Sequence, residues 1–364
     1  MYEKRRTLLN KHLSEKGIEA GIIIDPANVY YYTGFLSEPY ERFMAYVTCP
    51  KAEKAFLFVP ALDFEAAQMD ADMETIIPIA DDEDPFEVLK NCMGSIPTCF
   101  GIEGKAFSYD RYTNLLKMYP GAQIKDVQPF INQQREKKSR AEVEKLSHSI
   151  KLIEKVLAEG IKKVAAGMTE AELTAELEFL MRKFGADGPS FSTIVLSGEK
   201  SALPHGSPGD RKLEEGDFLL IDFGVVKDGY CSDITRTFVL GEPSEKQKEI
   251  YNIVLTSNEA GIQAVKAGVP LKTFDIAARK VIIDHGYGQY FNNRVGHGLG
   301  IEVHESPSIH QHYEEIAEKG LVFTIEPGIY IPGEGGVRIE DIVYINERGE
   351  AEVLTSFPKK LQTL

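Results

Sequence analysis

Along the first third of the chain, short apolar runs alternate with stretches of helical period. "AGIIID" (20–25), "RFMAYVTC" (42–49) and "KAFLFVP" (54–60) read as strands, and "SYDRYTNLLKMYP" (108–120) as a helix stopped by Pro120. Together they predict an α/β unit of domain size. A polar, charged stretch follows, "NQQREKKSRAEVEKL" (132–146), in which Ser139 and Glu142 form a capping box that opens a helix. The domain boundary is placed just before it, giving domains 1–133 and 134–364. Thr169 and Glu172 form a second capping box, heading a helix that Gly185 can close.

The second domain repeats itself. Sliding the chain by 101 residues lays Gly160 on Gly261, Val164 on Val265, Ala166-Gly167 on Ala267-Gly268 and Gly185 on Gly286. At a shift of 104, "EEGDFLLIDFG" (214–224) lies over "EKGLVFTIEPG" (318–328). Each copy then closes on another strand, "CSDITRTFVL" or "VRIEDIVYI". The predicted class is α+β, a duplicated helix-helix-strand unit behind a smaller α/β domain.

Duplication pairs Asp222 with Glu326, and Asp233 with Glu340 once a three-residue insertion in "YIPGEGGVR" is allowed. With Asp228-Gly229 as a two-residue hairpin turn, Gly224 faces Asp233. Asp222 then lies diagonally on the same face, about 7–8 Å away between Cα atoms. Like charges on one face repel unless a cation lies between them, and two divalent ions neutralise four carboxylates. Paired metals activate water and polarise a carbonyl or phosphoryl oxygen. Oxygen-rich ligation with one imidazole suits manganese, cobalt, iron or zinc. His297, between glycines in "RVGHGLGIEVHESP", is the imidazole candidate, and His304 follows seven residues on. His205 sits on a Pro/Gly-rich loop, the kind of segment that carries function. His310 and His312 read as surface residues. The Asp-Phe-Gly at 222–224 is no kinase signature, because the glycine-rich loop, catalytic loop and APE motifs are all missing.

Composition narrows the partners. A formal charge of −15 argues against a nucleic-acid groove or an anionic membrane surface. No run reaches the length of a membrane span, and the basic N-terminus is followed by no apolar segment of the signal-peptide kind. The four cysteines show no paired or zinc-type spacing, so they are expected to stay reduced, with Cys231 a buried thiol. A cytoplasmic enzyme is the expectation.

The ordered set "IDFG…SDITRT…GHGLG…VHESP…TIEPGIYIPGEGGVRIED" closely resembles the pita-bread metallopeptidases of family M24: prolidase, aminopeptidase P and methionyl aminopeptidase. The N-terminal domain resembles the smaller domain of the prolidase and aminopeptidase P branch, where it gates substrate and contributes to the dimer. The resemblance implies that Asp222 chelates one metal and that His297 and Glu326 bind the other. Asp233 and Glu340 would bridge the two, with manganese or cobalt foremost and zinc or iron as alternatives. A bridging hydroxide would attack the scissile carbonyl, and Glu326 would relay its proton to the leaving nitrogen. His205 and His304 match two histidines that contact substrate and steady the oxyanion, and Arg338 matches an arginine behind the ligands. "GFLSEPYERF" (34–43) looks like a loop of bacterial prolidases that reaches the partner's site, which makes Arg42 a candidate for the substrate carboxylate. Ser308 stands where many prolidases carry an arginine for that carboxylate. The expected activity is hydrolysis of Xaa-Pro dipeptides by a homodimer. An Xaa-Pro aminopeptidase acting on longer peptides is the alternative, and a non-catalytic binding scaffold the remote one.

Overall fold

The three apolar runs of the first third pair with one another in a six-stranded sheet. The computed structural model describes residues 1–364 except Ser95. These strands are β1 (Ala20–Ile23), β2 (Ala45–Cys49) and β3 (Lys54–Pro60), joined by β4 (Ile76–Ile79), β5 (Cys99–Ile102) and β6 (Gln123–Asp126). The order is β4-β3-β2-β1-β5-β6, antiparallel in the middle and parallel at both edges. Helices α1 (Tyr2–Glu15), α2 (Pro26–Thr33), α3 (Phe64–Asp70), α4 (Pro85–Met93), α5 (Tyr109–Met118) and α6 (Gln128–Glu136) complete this part. Its core holds Ile22, Phe58, Leu89, Phe100 and Leu115. The chain divides into two compact units, Met1–Gln134 and Arg135–Leu364. Among the described residues no helix is long and apolar enough to cross a membrane. All four cysteines are free.

In the second unit both capping boxes are formed, at the heads of α7 (Arg140–Gly160) and α8 (Glu170–Lys183). A second pair, α9 (Glu245–Ala264) and α10 (Lys272–Asp284), repeats them. The matched glycines do matched work. A Cβ on Gly160 would lie 2.3 Å from the Leu177 side chain of α8, and one on Gly261 would lie 3.3 Å from Ala278 of α10. Each glycine therefore lets its helix approach the next. The breaks at Gly167 and Gly268 share left-handed φ of 87° and 89°, which a side chain would strain.

The remaining elements are β7 (Gly188–Pro189), β8 (Ile194–Ser197), β9 (Phe218–Phe223), β10 (Val225–Lys227), β11 (Tyr230–Cys231) and β12 (Ile234–Val239). The second copy supplies β13 (Gly296–Gly298), β14 (Glu305–Ile309), β15 (Val322–Ile325), β16 (Gly328–Ile331), β17 (Gly335–Arg338) and β18 (Asp341–Ile345), and β19 (Ala351–Val353) follows. The first hairpin keeps one register from Lys227↔Tyr230 down to Phe218↔Val239, with Asp222 opposite Thr235. Asp228 and Gly229 take φ of 52° and 75°, as the tight turn requires. The diagonal placement of Asp222 and Asp233 follows directly.

The second hairpin is not an exact copy. Its turn has one extra residue, between Ile331 and Gly335, and its register runs through Gly328↔Arg338 and Ile325↔Asp341. Continuing it sets Glu326 opposite Glu340 rather than diagonal to it. The three-residue insertion is thus one residue of turn plus a shift of one acid by two positions along its strand.

The two hairpins are joined through β12. Thr237 exchanges hydrogen bonds with the backbone of Arg338, at 3.0 and 3.1 Å. Arg236, fully buried, donates to the backbone of Glu340 and to Asp341 Oδ1 at 3.0 Å. Lys359 lies 2.8 Å from the other Asp341 oxygen.

Two loops carry the histidines His205 and His304, and each is wrapped around a buried carboxylate. Glu170, in the first turn of α8, accepts hydrogen bonds from Ser197 N (2.8 Å), Gly209 N (3.1 Å) and the Lys200 ammonium, so it gathers both ends of the His205 loop. Glu305 accepts from Arg135, from Lys138 (2.9 Å) and from Glu302 N (3.1 Å). Burial alone would raise the Glu305 carboxyl, but Arg135 and Lys138 outweigh it and hold it down to about 2.

Asp341→Ala would leave the Arg236 charge buried without its anion. It is expected to lower the stability of the second unit by about 3–5 kcal/mol, read from its urea midpoint. Glu305 is depressed in the folded state, so its contribution is fully present above its ordinary value of 4.5 and drains away as pH falls towards 2. The stability gap between the native chain and Glu305→Gln should therefore shrink by about 3 kcal/mol over that window, in denaturation titrations taken at stepped pH.

Candidate metal centre

The acids predicted from the repeat converge. Asp222 comes from β9, Asp233 from just before β12, Glu326 from just after β15 and Glu340 from just before β18. Asp233 and Glu340 are 5% and 1% exposed. His297, at the middle of β13, points its Nε2 to within 3.2 Å of Glu326 Oε1 and 3.6 Å of Asp233 Oδ2. Ligating atoms of Asp233, His297 and Glu340 all lie within 4.8 Å of one another.

Three oxygens in this floor, Asp222 Oδ1, Asp233 Oδ1 and Glu340 Oε1, are buried and receive no hydrogen bond. Burial first, and then the neighbouring carboxylates, push Asp233 and Glu340 well above the ordinary carboxyl range. Such orphaned anionic oxygens call for a cation. Four carboxylates and one imidazole form a donor set that fits divalent ions of hard to borderline character.

Residues behind the acids fix their orientation. Thr235 Oγ1 donates to Glu340 Oε2 at 2.8 Å and accepts from Arg338 Nε at 3.1 Å. Thr324 Oγ1 donates to Glu326 Oε1 at 3.0 Å and accepts from His297 N at 3.1 Å. Arg338 pairs with Asp222 through Nη2 and donates through Nη1 to the Tyr330 hydroxyl at 2.8 Å. Sequence reasoning passed over Thr235, Thr324 and Tyr330. The signal was there for the threonines, since each lies two residues from an acid and so shares its face of the strand.

Above the floor is a cavity of about 380 Å³. His205 and His304 both line it and are exposed at its mouth. The His304 ring stands edge-on to His297, with centroids 4.3 Å apart. Desolvation, then the charges of His297 and Arg294, push it down to about 4, so the imidazole is neutral at pH 7. Phe191, Ile194 and Val303 give the cavity an apolar wall. Arg294, also unnoticed in the sequence, lines it as well and donates to Ser308 Oγ at 3.0 Å. Arg42 belongs to the other unit. There it donates to Asp81 at 2.9 and 3.3 Å and to Glu41 at 3.1 Å. His310 and His312 lie off the cavity, their rings 6.3 Å apart.

Comparison with known proteins matches this geometry to a family. Residues 144–347 match Metallopeptidase family M24, and residues 5–137 match the Creatinase/Prolidase N-terminal domain. An uncharacterized peptidase of Staphylococcus aureus is 39% identical over 347 residues, covering 95% of this chain and 97% of that protein. Among solved structures, a prolidase from Pyrococcus furiosus is 37% identical, with a TM-score of 0.87 over 95% of this chain and 99% of that one. A Xaa-Pro dipeptidase from Bacillus anthracis is 34% identical, with a TM-score of 0.92 over the whole of both chains. An X-Pro aminopeptidase from Thermotoga maritima is also 34% identical, with a TM-score of 0.91 over 100% of this chain and 99% of that one. With an α+β pita-bread fold and a buried carboxylate–histidine cluster suited to divalent metal, the chain belongs to metallopeptidase family M24 and is a hydrolase.

Proposed function

We propose that this chain hydrolyses the Xaa-Pro bond of dipeptides with two divalent ions, manganese or cobalt foremost. The observation that carries the reading is the buried floor, where three unpaired carboxylate oxygens and one imidazole converge beneath a cavity. The prolidase and Xaa-Pro dipeptidase among its structural neighbours support the substrate class. Asp222 would hold one ion, His297 and Glu326 the other, and Asp233 and Glu340 both. Bound there, the ions would supply Lewis-acid polarisation of the scissile carbonyl and an activated water.

The chain's own residues do the rest. Glu326 is the proton carrier, because its side chain is 16% exposed, against 12% for Asp222 and 7% for Asp233. It faces the cavity while Thr324 keeps one of its oxygens fixed. From there it takes a proton from the attacking water and passes it to the proline nitrogen, which has none of its own and must gain one to leave. The neutral His304 donates a hydrogen bond to the oxygen on which charge develops, with His205 contacting the substrate at the same mouth. Arg338 holds Asp222 in place and offsets part of the floor's charge. Phe191, Ile194 and Val303 favour an apolar side chain before proline. The reading includes a homodimer in which Arg42 gives up its carboxylate partners to reach the neighbouring subunit's substrate.

A second reading, an aminopeptidase taking longer peptides, has the Thermotoga neighbour in its favour. Leu-Pro and Ala-Pro compared with Leu-Pro-Gly, under one metal, separate the two. The dipeptides should be cleaved with at least tenfold higher kcat/KM, and a preference for the tripeptide would end the dipeptidase reading.

Exhaustive chelation should abolish hydrolysis, and manganese or cobalt should restore it. Full activity in metal-free protein would refute the mechanism. Asp233→Ala should lower kcat/KM by roughly a thousandfold, equivalent to about 4 kcal/mol, because it unseats both ions. That loss should exceed the effect of any substitution outside the five ligands and two histidines.

A further inference from the structure

The second hairpin is interrupted where its acids stand. β15 ends at Ile325 and β18 begins at Asp341, whereas β16 and β17 form a separate two-stranded ribbon that starts at Gly328 and ends at Arg338. Glu326 and Glu340 lie in the gap between the two ladders. Their N–H groups go elsewhere, that of Glu326 to Val295 O at 2.7 Å and that of Glu340 to Thr235 O at 3.2 Å. A gap of this kind leaves buried carbonyls short of donors, which costs free energy unless another group supplies them. Asn258, in α9 and fully buried, supplies them. Its Nδ2 donates to Ile325 O at 2.9 Å and to Ile339 O at 3.3 Å, the carbonyls directly before Glu326 and Glu340. A primary amide carries two N–H groups, so one side chain bridges both strands where backbone pairing has stopped.

The first copy has neither the gap nor the amide. β9 and β12 stay paired in one register past Asp222, and at the shift of 101 the counterpart of Asn258 is Leu157, packed in the apolar core. The polar residue occurs in the copy whose hairpin is broken. Its remaining atom is engaged as well, since Lys359 of the C-terminal segment donates to Asn258 Oδ1 at 2.9 Å. An ammonium only donates, so it fixes which end of the amide is oxygen and leaves both N–H groups to the carbonyls. The Lys359 carbonyl is held in turn by the Tyr251 hydroxyl of α9 at 2.8 Å. We infer that Asn258 is a positioning residue of the metal centre: it sets the spacing of Glu326 and Glu340, and Lys359 locks it, so the C-terminal segment helps to hold the ions. The inference rests on the reading of the floor as a metal site. Without the amide the two strands are free to part under the repulsion of their own carboxylates, and a bound ion must first draw its ligands together.

The test is manganese binding to the full chain, by titration calorimetry on metal-free protein, beside urea midpoints taken without metal. Asn258→Leu installs the residue of the first copy, and Asn258→Asp keeps the shape but exchanges the donors for an oxygen. Each should weaken manganese binding about 10- to 100-fold, the range for a group that orients metal ligands. At saturating manganese, KM for Leu-Pro should stay within about twofold of the native value while kcat falls about tenfold. Ser257→Ala is the control. Ser257 is the next residue on α9 and equally buried, but its hydroxyl donates to Ala278 O of α10 at 2.7 Å and so ties helix to helix. Its loss should lower the urea midpoint and leave manganese affinity within about twofold of native. Lys359→Met, which retains the aliphatic stem, should weaken manganese a few-fold, and it carries the readout if the Asn258 variants fold poorly. Asn258 variants that lose stability but keep native manganese affinity would overturn the inference, as would an equal loss of affinity in Ser257→Ala. Native affinity in Lys359→Met would overturn the part given to the C-terminal segment. A native chain that takes up no manganese would instead remove the metal-site reading beneath it.

Discussion

The candidate site in the second unit answers to one constraint, the mutual repulsion of four carboxylates brought together away from bulk solvent. Asp233 and Glu340 are nearly inaccessible, and each has an oxygen with no donor. An arrangement of that kind is costly unless cations enter it. The surrounding structure keeps the acids from moving apart. Both hairpins are locked by register, the hydroxyl of Thr237 ties one to the other, and Thr235 and Thr324 each hold one oxygen of a glutamate. The floor oxygens left unpaired belong to residues that line the cavity. The strain of assembling the floor is thus converted into affinity for metal.

The same chemistry serves the opposite purpose nearby. Glu170 and Glu305 are also buried carboxylates, but donors from loop backbone and ammonium or guanidinium groups meet them on both oxygens. They are saturated, so they tie loops down and offer nothing to a ligand. The loops they fix carry His205 and His304. One functional group, the carboxylate, therefore builds both the floor and the rigid rim, and the difference is whether its oxygens are satisfied.

Much of this was legible in the sequence because it is local or repeated. Asp228-Gly229 set the first register, and the glycine matches at shifts of 101 and 104 brought Glu326 and Glu340 into view. The second register was not legible, since an insertion of three residues does not reveal how it divides between turn and strand. Glu305 with Arg135 and Lys138 was beyond reach for a different reason. Those partners are 170 and 167 residues apart in the chain, and no period links them. Arg294 escaped notice because an arginine three residues before His297 looks like any charged loop residue until its place in the cavity wall and its lack of an acid partner are seen.

The duplication also shows where the two copies part. Ser197 pairs with Leu219 in one copy and Gly298 with Phe323 in the other, so β8 and β13 are equivalent at the same shift of 101 that relates the helices. Each of these strands runs into a loop bearing a histidine, His205 or His304. That much is symmetric. The equivalence breaks on the strands themselves. Where the second copy has His297, the first has Leu196, and where the second has Arg294, the first has Thr193. A symmetric set of carboxylates can bind two ions but cannot tell an amine terminus from a carboxylate terminus. The imidazole on β13 and the guanidinium just before it are the groups that break the symmetry. The asymmetry of the cavity therefore resides in the strand that departed from its copy, while the acids recur in both copies.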